Sequence, residues 1–265
     1  MTKDYSAQIL LLEGADAIAF AHAQFSSNVQ SLKVGQWQFS AWLDAQGRVR
    51  ALFHLARPAD DTLLVLLRGG DATSLAQSLQ RFVFRSKVKL TAHHSHALST
   101  APARESYAFD REDDAYIFGC GTHSLVVGTS ADDDWRLPQI HAGWPWLPDN
   151  VIGELLAPAL SLERLQAVAL DKGCYPGQEI VARLHYRGGH KRHMHCVVLS
   201  QPLPGGTVLR QDDKGIIQLL DVIATKVDVQ ALAVMGDDIV QQMKNDAFNP
   251  VDEGVSLRIT ESWPA

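Results

Sequence analysis

Residues 172–179 read Lys-Gly-Cys-Tyr-Pro-Gly-Gln-Glu, and they place a cysteine on a tight loop at the start of a helix. Two glycines, Gly173 and Gly177, flank Cys174 and the proline that follows it, a composition typical of a sharp turn. Apolar residues in 178–184 recur on one face at helical spacing, which predicts a helix that begins directly after the loop.

This position favours a reactive thiol at Cys174. Free N–H groups and the dipole at a helix N-terminus stabilise anions, including a thiolate. Lys172 adds a positive charge two residues away in the chain. Such surroundings activate cysteines as nucleophiles. The alternative is that Cys174 is a small loop residue without chemistry, since free cysteines often serve only in packing.

The octapeptide and the residues after it resemble the signature of the YgfZ family of folate-binding proteins, which are relatives of the glycine-cleavage T-protein. The matching positions are Lys172, Gly173, Cys174, Tyr175, Gly177, Gln178, Glu179, Ile180, Val181, Ala182 and Arg183. The resemblance implies a role in iron–sulfur cluster maintenance and tRNA modification, with Cys174 as the functional thiol and Lys172 as its electrostatic support. It also implies tetrahydrofolate or a related reduced folate as cofactor, and iron–sulfur enzymes or cluster-assembly proteins as partners.

Further segments resemble the family in the same order over roughly residues 8–200. They are Gly14-Ala15-Asp16, Leu43 to Val49, Phe82 to Val88, Trp135 and Ile140 to Pro145. The resemblance implies an α+β fold of the T-protein type with ferredoxin-like layers. It places two intertwined subdomains in residues 1–190, one of which includes about 35–92, and a small β-barrel in 191–265.

The resemblance also suggests which residues bind the folate. Trp135 occupies the position of a family tryptophan that lines the pocket, although a core tryptophan would fit the same position. Gln24, Asn28 and Arg183 are the other candidate cofactor-binding residues. The family's N-terminal pocket aromatic would fall near Ala7, which is not aromatic, although Tyr5 is close.

Aminomethyltransferases carry an acidic pair after the hairpin glycine, and this chain lacks it. By spacing from Gly47 those positions are Ala51 and Leu52, and neither side chain can exchange a proton. An accessory protein is therefore favoured over an enzyme. An aminomethyltransferase-like enzyme that acts on another one-carbon donor remains the alternative.

Composition limits the cellular setting. The chain has 265 residues, a formal charge of −6 and a pI of about 6.0, which argue against general binding to nucleic acid. The local basic patch expected from sequence is 172–195, so direct tRNA contact would depend on it. Three cysteines without a pairing pattern suit a reducing compartment, and no apolar run reaches membrane-spanning length. A cytoplasmic protein without membrane contact is expected.

Hydrophobic periodicity predicts a β–β–β–α–β run over the first 91 residues. Its helix spans about 71–84, with Leu75, Leu79, Phe82 and Val83 facing inward. Residues 93–114 are polar and are predicted to form a linker or irregular loop. Beyond residue 192, short β-rich pieces alternate with turns, as in a small barrel.

Two other kinds of site compete for Cys174. A metal site could combine it with nearby histidines, but the spacings match no standard ligand motif, and no metal is expected. The histidines concerned are His185, His190, His193 and His195. A Cys–His hydrolase would use Cys174 as nucleophile and His185 as base, although no third, orienting residue can be named.

Overall fold

The computed structural model describes residues 6–211, 214–243 and 254–263. Within these ranges the chain forms thirteen β-strands and five α-helices. The strands are β1 Ser6–Glu13, β2 Gln36–Leu43, β3 Val49–Ala59, β4 Thr62–Leu67, β5 Lys89–Ala101, β6 Phe109–Glu112, β7 Ala115–Gly119, β8 Ser124–Gly128, β9 Arg192–Leu199, β10 Val208–Gln211, β11 Lys214–Ala224, β12 Val229–Gly236 and β13 Leu257–Trp263. The helices are α1 Ala17–Gln24, α2 Ala72–Gln80, α3 Arg136–His141, α4 Gln178–Arg187 and α5 Asp237–Met243.

Among the described residues, strands β1 to β8 form one antiparallel sheet in the order β2-β3-β4-β1-β5-β8-β7-β6. β5 holds its two halves together, because its first part pairs with β1 and its last part with β8. The prediction of an irregular linker over 93–114 was therefore wrong. Residues 93–101 continue β5, and 109–112 form β6. The polar composition was misleading because β5 is mostly half-buried, and its pairing with β1 and then with β8 uses backbone groups whatever the side chains are.

The two faces of this sheet carry different cores, since successive strand residues point to opposite sides. On one face α1 and α2 cover a cluster that includes Phe25, Phe53 and Leu79. α2 ends at Gln80, earlier than predicted, so the helical pattern does not continue to Phe82. Phe82 is 49 % exposed, which corrects the prediction that it faces inward.

The opposite face carries an aromatic core, to which the C-terminal region contributes. Its members include Trp37, Phe118, Trp135 and Trp146, together with Met194 of β9. Arg68 holds residues 144–145 beside this core. Its Nε donates to the carbonyl oxygen of Pro145 at 2.8 Å, and its Nη2 donates to that of Trp144 at 2.8 Å.

In the described part of the C-terminal region, five strands form an antiparallel sheet in the order β10-β11-β12-β9-β13. A buried ion pair joins this sheet to α3: Nη2 of Arg136 lies 2.5 Å from Oδ1 of Asp221 in β11. Arg136 also donates to the carbonyl oxygen of Val222 at 2.7 Å. No helix of the described residues is long and apolar enough to cross a membrane.

Candidate functional site

The octapeptide loop rests on the turn between β2 and β3. Gly177 precedes α4 with φ of +78°, a left-handed conformation that favours glycine. A Cβ at Gly177 would lie 2.5 Å from the carbonyl oxygen of Asp44 and 3.0 Å from the Cα of Gly47. Ile180 in turn packs against Gly47. The two sequence motifs, residues 44–49 and 172–183, therefore contact each other in the fold.

The side chains at the start of α4 complete the loop. Gln178 donates through Nε2 to the carbonyl oxygen of Lys172 at 3.3 Å, which closes the turn around Cys174. Glu179 is exposed in the first turn of α4, where the helix dipole favours a carboxylate. Gly173 has open space around it, so its lack of a side chain is not needed for packing.

All three cysteines lie in the described residues, and Cys174 is the exposed one. Cys120, just after β7, is buried, and this burial raises the pKa of its thiol to about 11. Burial also raises the pKa of Cys196 in β9. Because the thiolate is the reactive species, the exposed loop thiol is the one available for chemistry.

Lys172 binds to the end of α1. Its ammonium donates to the carbonyl oxygens of His22, at 2.7 Å, of Ser27, at 2.8 Å, and of Phe25. These groups lie at or just beyond the last turn of a helix, where carbonyls lack helical partners. Burial lowers the pKa of Lys172 to about 8, so the ammonium remains its main form at pH 7. The structure thus gives Lys172 a role that the sequence did not suggest, as an anchor of the loop.

Beside the loop lies a cavity of about 810 Å³, large enough for a drug-sized ligand. It is bounded by β2, the segment before the octapeptide and α4, and Asp171 is part of its wall. Its aromatic lining is formed by Trp37, Phe39, Tyr107 and Tyr186. Its polar lining includes Asn28, Gln38, Glu163 and His185.

Two predicted cofactor-binding residues carry unused acceptors, and one of them, Asn28, lies in the cavity wall. Oδ1 of Asn28, in the cavity wall, is buried and has no hydrogen-bond partner among the described residues. The same holds within the described ranges for Oε1 of Gln24, the last residue of α1. Gln38 donates to Oγ of Ser27 at 2.8 Å and so holds the backbone beside Asn28. Buried acceptors without partners are costly, and a ligand with N–H donors would satisfy them.

Two other predicted residues lie away from the cavity. Trp135 is 0 % exposed, donates through Nε1 to the carbonyl oxygen of Asp132 and packs against Trp146. Its ring is thus part of the core and not of the cavity wall. Arg183 is exposed on α4, outside the set of cavity-lining residues. The family position near Ala7 is also a core position here, and Ala7 is completely buried.

The structure bears differently on each of the competing chemistries. Ala51 and Leu52 are buried in β3, so no carboxylate stands at the place of the transferase acidic pair. Nδ1 of His185 lies 2.9 Å from Oε2 of Glu163, a carboxylate of the kind that orients a catalytic base, but within the described residues no hydrogen bond joins His185 to Cys174. Among the described residues, no three His, Cys, Asp or Glu side chains are grouped to hold a metal ion.

Sequence reasoning missed most of the cavity wall. Trp37 and Phe39 alternate along β2, a signal that marks a buried face but not a ligand site. Tyr107 has φ of +68°, and such strained backbone in a non-glycine residue often occurs at binding sites. Nothing in the sequence around Tyr107 announces that conformation.

The fold is that of the T-protein. The structure matches the glycine cleavage system aminomethyltransferase T from Bartonella henselae with a TM-score of 0.73 and 15 % identity, covering 97 % of this chain and 84 % of that one. This confirms the predicted fold class.

The sequence comparisons confirm the resemblance to the YgfZ family. The chain is 26 % identical over 232 residues to the tRNA-modifying protein YgfZ of Aliivibrio fischeri (strain MJ11), covering 76 % of this chain and 73 % of that protein. It is 21 % identical to the protein of that name from Buchnera aphidicola subsp. Baizongia pistaciae, covering 87 % and 85 %. An uncharacterized protein from Haemophilus influenzae is 27 % identical over 193 residues, covering 71 % and 69 %. No family model matches the chain.

Proposed function

We propose that this protein is a folate-binding accessory factor in tRNA modification. It supports the assembly or repair of iron–sulfur enzymes through the exposed thiol of Cys174. The observation that carries the folate part is the 810 Å³ cavity, in which aromatic walls stand beside the unpartnered acceptor of Asn28. The part of the proposal that concerns tRNA modification is supported by the relatives named tRNA-modifying protein YgfZ.

The residues of the cavity fit the chemistry of a reduced folate. A pterin is flat and carries N–H donors on one edge, so it needs aromatic faces and a few fixed acceptors. Tyr107 and Tyr186 offer exposed aromatic surface, and Asn28 offers an acceptor. When bound, the folate would supply a one-carbon carrier, while the protein residues bind and orient it.

Cys174 would act on iron–sulfur chemistry as a thiolate. Its exposure allows contact with a partner enzyme, and thiolates are the usual ligands of iron–sulfur clusters. A reducing compartment such as the cytoplasm would keep this thiol free.

A titration with 5-formyltetrahydrofolate, followed by calorimetry, tests the cavity. Asn28→Ala removes the acceptor and should weaken binding about three- to tenfold, the effect of one hydrogen bond. Asn28→Asp keeps an acceptor of the same shape but adds a negative charge, so it should bind more tightly than Asn28→Ala. Equal affinity in all three proteins would remove Asn28 from the site, and no binding to the wild type would remove folate from the function.

A complementation assay tests the thiol. Cys174→Ser should fail to restore the activity of iron–sulfur-dependent tRNA-modifying enzymes in cells that lack the native protein. Cys120→Ala should restore it, because Cys120 is buried. Full activity with Cys174→Ser, in a protein of unchanged melting temperature, would make the octapeptide a structural turn.

The alternative function is one-carbon transfer, which the likeness to an aminomethyltransferase favours. The absence of carboxylates at Ala51 and Leu52 argues against it. Formation of methylenetetrahydrofolate from a lipoyl-bound aminomethyl donor, at rates like those of T-protein, would establish the enzyme in place of the accessory factor.

A further inference from the structure

A second basic surface lies between α2 and β5, in a part of the chain that the site does not use. Residues 81–89 read Arg-Phe-Val-Phe-Arg-Ser-Lys-Val-Lys, with four cations and no acid in a chain of net charge −6. All four cations are exposed: Arg81, Arg85, Lys87 and Lys89. We call these nine residues the 81–89 segment.

Two phenylalanines stand among these cations with their rings in solvent. Phe84 is 89 % exposed and Phe82 is 49 % exposed. The guanidinium carbon of Arg85 lies 5.5 Å from the centroid of the Phe84 ring, a cation–π distance. The ring thus packs against its neighbouring arginine on the surface and leaves one face free for a ligand.

Two acids lie beside the segment, and they offset only part of the charge of its four cations. Asp16 accepts the backbone N–H of Lys87 at 2.6 Å and so serves to hold the segment in place. Glu13 lies opposite Lys89 in the β1–β5 register. Within the described residues, no carboxylate lies within the 4.0 Å ion-pair distance of the four cations.

We propose that the 81–89 segment binds single-stranded RNA, a step that rests on the proposed role in tRNA modification. Cations that follow a backbone, together with aromatic rings on which bases stack, are the usual combination for unpaired nucleic acid. An interfacial membrane anchor would need a continuous apolar helix face, and this segment consists largely of turns. An acidic protein partner would use the cations but would not require two free aromatic faces.

The fold connects this surface to the reactive loop. Lys87 is tied to Asp16 at the start of α1, and Lys172 is tied to the carbonyls at its end. α1 has eight residues, so the two attachment points are about 12 Å apart along the helix axis. The 81–89 segment and the loop of Cys174 are therefore attached to opposite ends of one short helix.

Fluorescence anisotropy with a labelled, unstructured 15-nucleotide RNA tests the proposal. Phe84→Ala should weaken binding about tenfold, the effect of one lost base stack. Arg85→Gln/Lys87→Gln should lower the slope of log affinity against log salt by about 1.4, which is 0.7 for each phosphate contact. The control Lys33→Gln/Lys226→Gln removes the same net charge from two exposed lysines elsewhere and should leave the slope unchanged. Val227→Ala, at a side chain that is 92 % exposed, is the control for loss of surface apolar area.

Three results would overturn the proposal: no RNA binding by the wild type, equal losses in test and control variants, or stronger binding to phosphatidylserine vesicles than to RNA. The folate titration of the same proteins separates this surface from the proposed function. If folate binding and complementation succeed while RNA binding fails, the surface proposal alone is wrong.

Discussion

A pair of alanine substitutions within the octapeptide separates the residues that shape the loop from those that do not. Gly177→Ala places a methyl group 2.5 Å from the carbonyl oxygen of Asp44 and 3.1 Å from the Cβ of Leu43. The backbone conformation there, with φ of +78°, costs a non-glycine residue about 1–2 kcal/mol before any clash is counted. Gly173→Ala meets nothing within 4 Å. Both substitutions reduce the freedom of the unfolded chain equally, so the difference between them measures the cost in the folded state.

We expect Gly177→Ala to lower the free energy of unfolding by about 2–3 kcal/mol relative to Gly173→Ala, because clash and backbone strain add. In a chain of this size each kcal/mol shifts the melting temperature by about 2–4 °C. Thermal and urea denaturation measure the difference, and hydrogen exchange of the amides in 178–187 locates it. Equal melting temperatures for the two variants would refute the packing of the loop on the hairpin turn.

Two further residues and the cysteines give independent tests. Lys172→Met should lower the free energy of unfolding by about 2–3 kcal/mol, because three carbonyl oxygens at the end of α1 lose a charged donor. Urea denaturation measures this change, and an unchanged midpoint would contradict the anchor role. Arg136→Met should lower the free energy of unfolding by about 3–5 kcal/mol, because it removes the arginine of a buried ion pair with Asp221. Adding Asp221→Leu should recover much of the loss, and failure to recover it would mean that the pair is not the cause. Alkylation at pH 8 should label Cys174 before Cys120, because a pKa of about 11 leaves only about one Cys120 thiol in a thousand ionised. Mass spectrometry gives the order of labelling, and faster labelling of Cys120 would contradict its burial.

Local features of the site could be predicted from the sequence. The loop before α4 and the hairpin turn ending in Gly47 follow from glycine, proline and apolar spacing, and the structure contains both. The end of α2 could not be predicted. The apolar pattern continues to Phe82 and Val83, and the helix stops at Gln80 although no proline or glycine marks the end.

The cavity could not be predicted because its wall is assembled from distant segments. Asn28, Tyr107 and Asp171 come from three separate parts of the chain, and only the folded sheet brings them together. The contact of Lys172 with α1 spans about 150 residues, for which local pattern carries no signal. Trp135 shows the converse problem, since a family position predicts the residue type but not whether the ring faces the cavity or the core.

Packing explains much of the octapeptide, but it explains neither Gly173 nor Cys174. Gly177 is required because the backbone there lies close to the hairpin turn between β2 and β3. Lys172 is required because its ammonium binds carbonyl oxygens at the end of α1. Tyr175 is buried, and its ring centroid lies 4.8 Å from Nζ of Lys172, so it supports the same anchor. Cys174 is exposed at the tip of a loop that its neighbours hold in place. A serine there would satisfy the same packing, so the proposed thiol chemistry is what would distinguish cysteine from serine at this position.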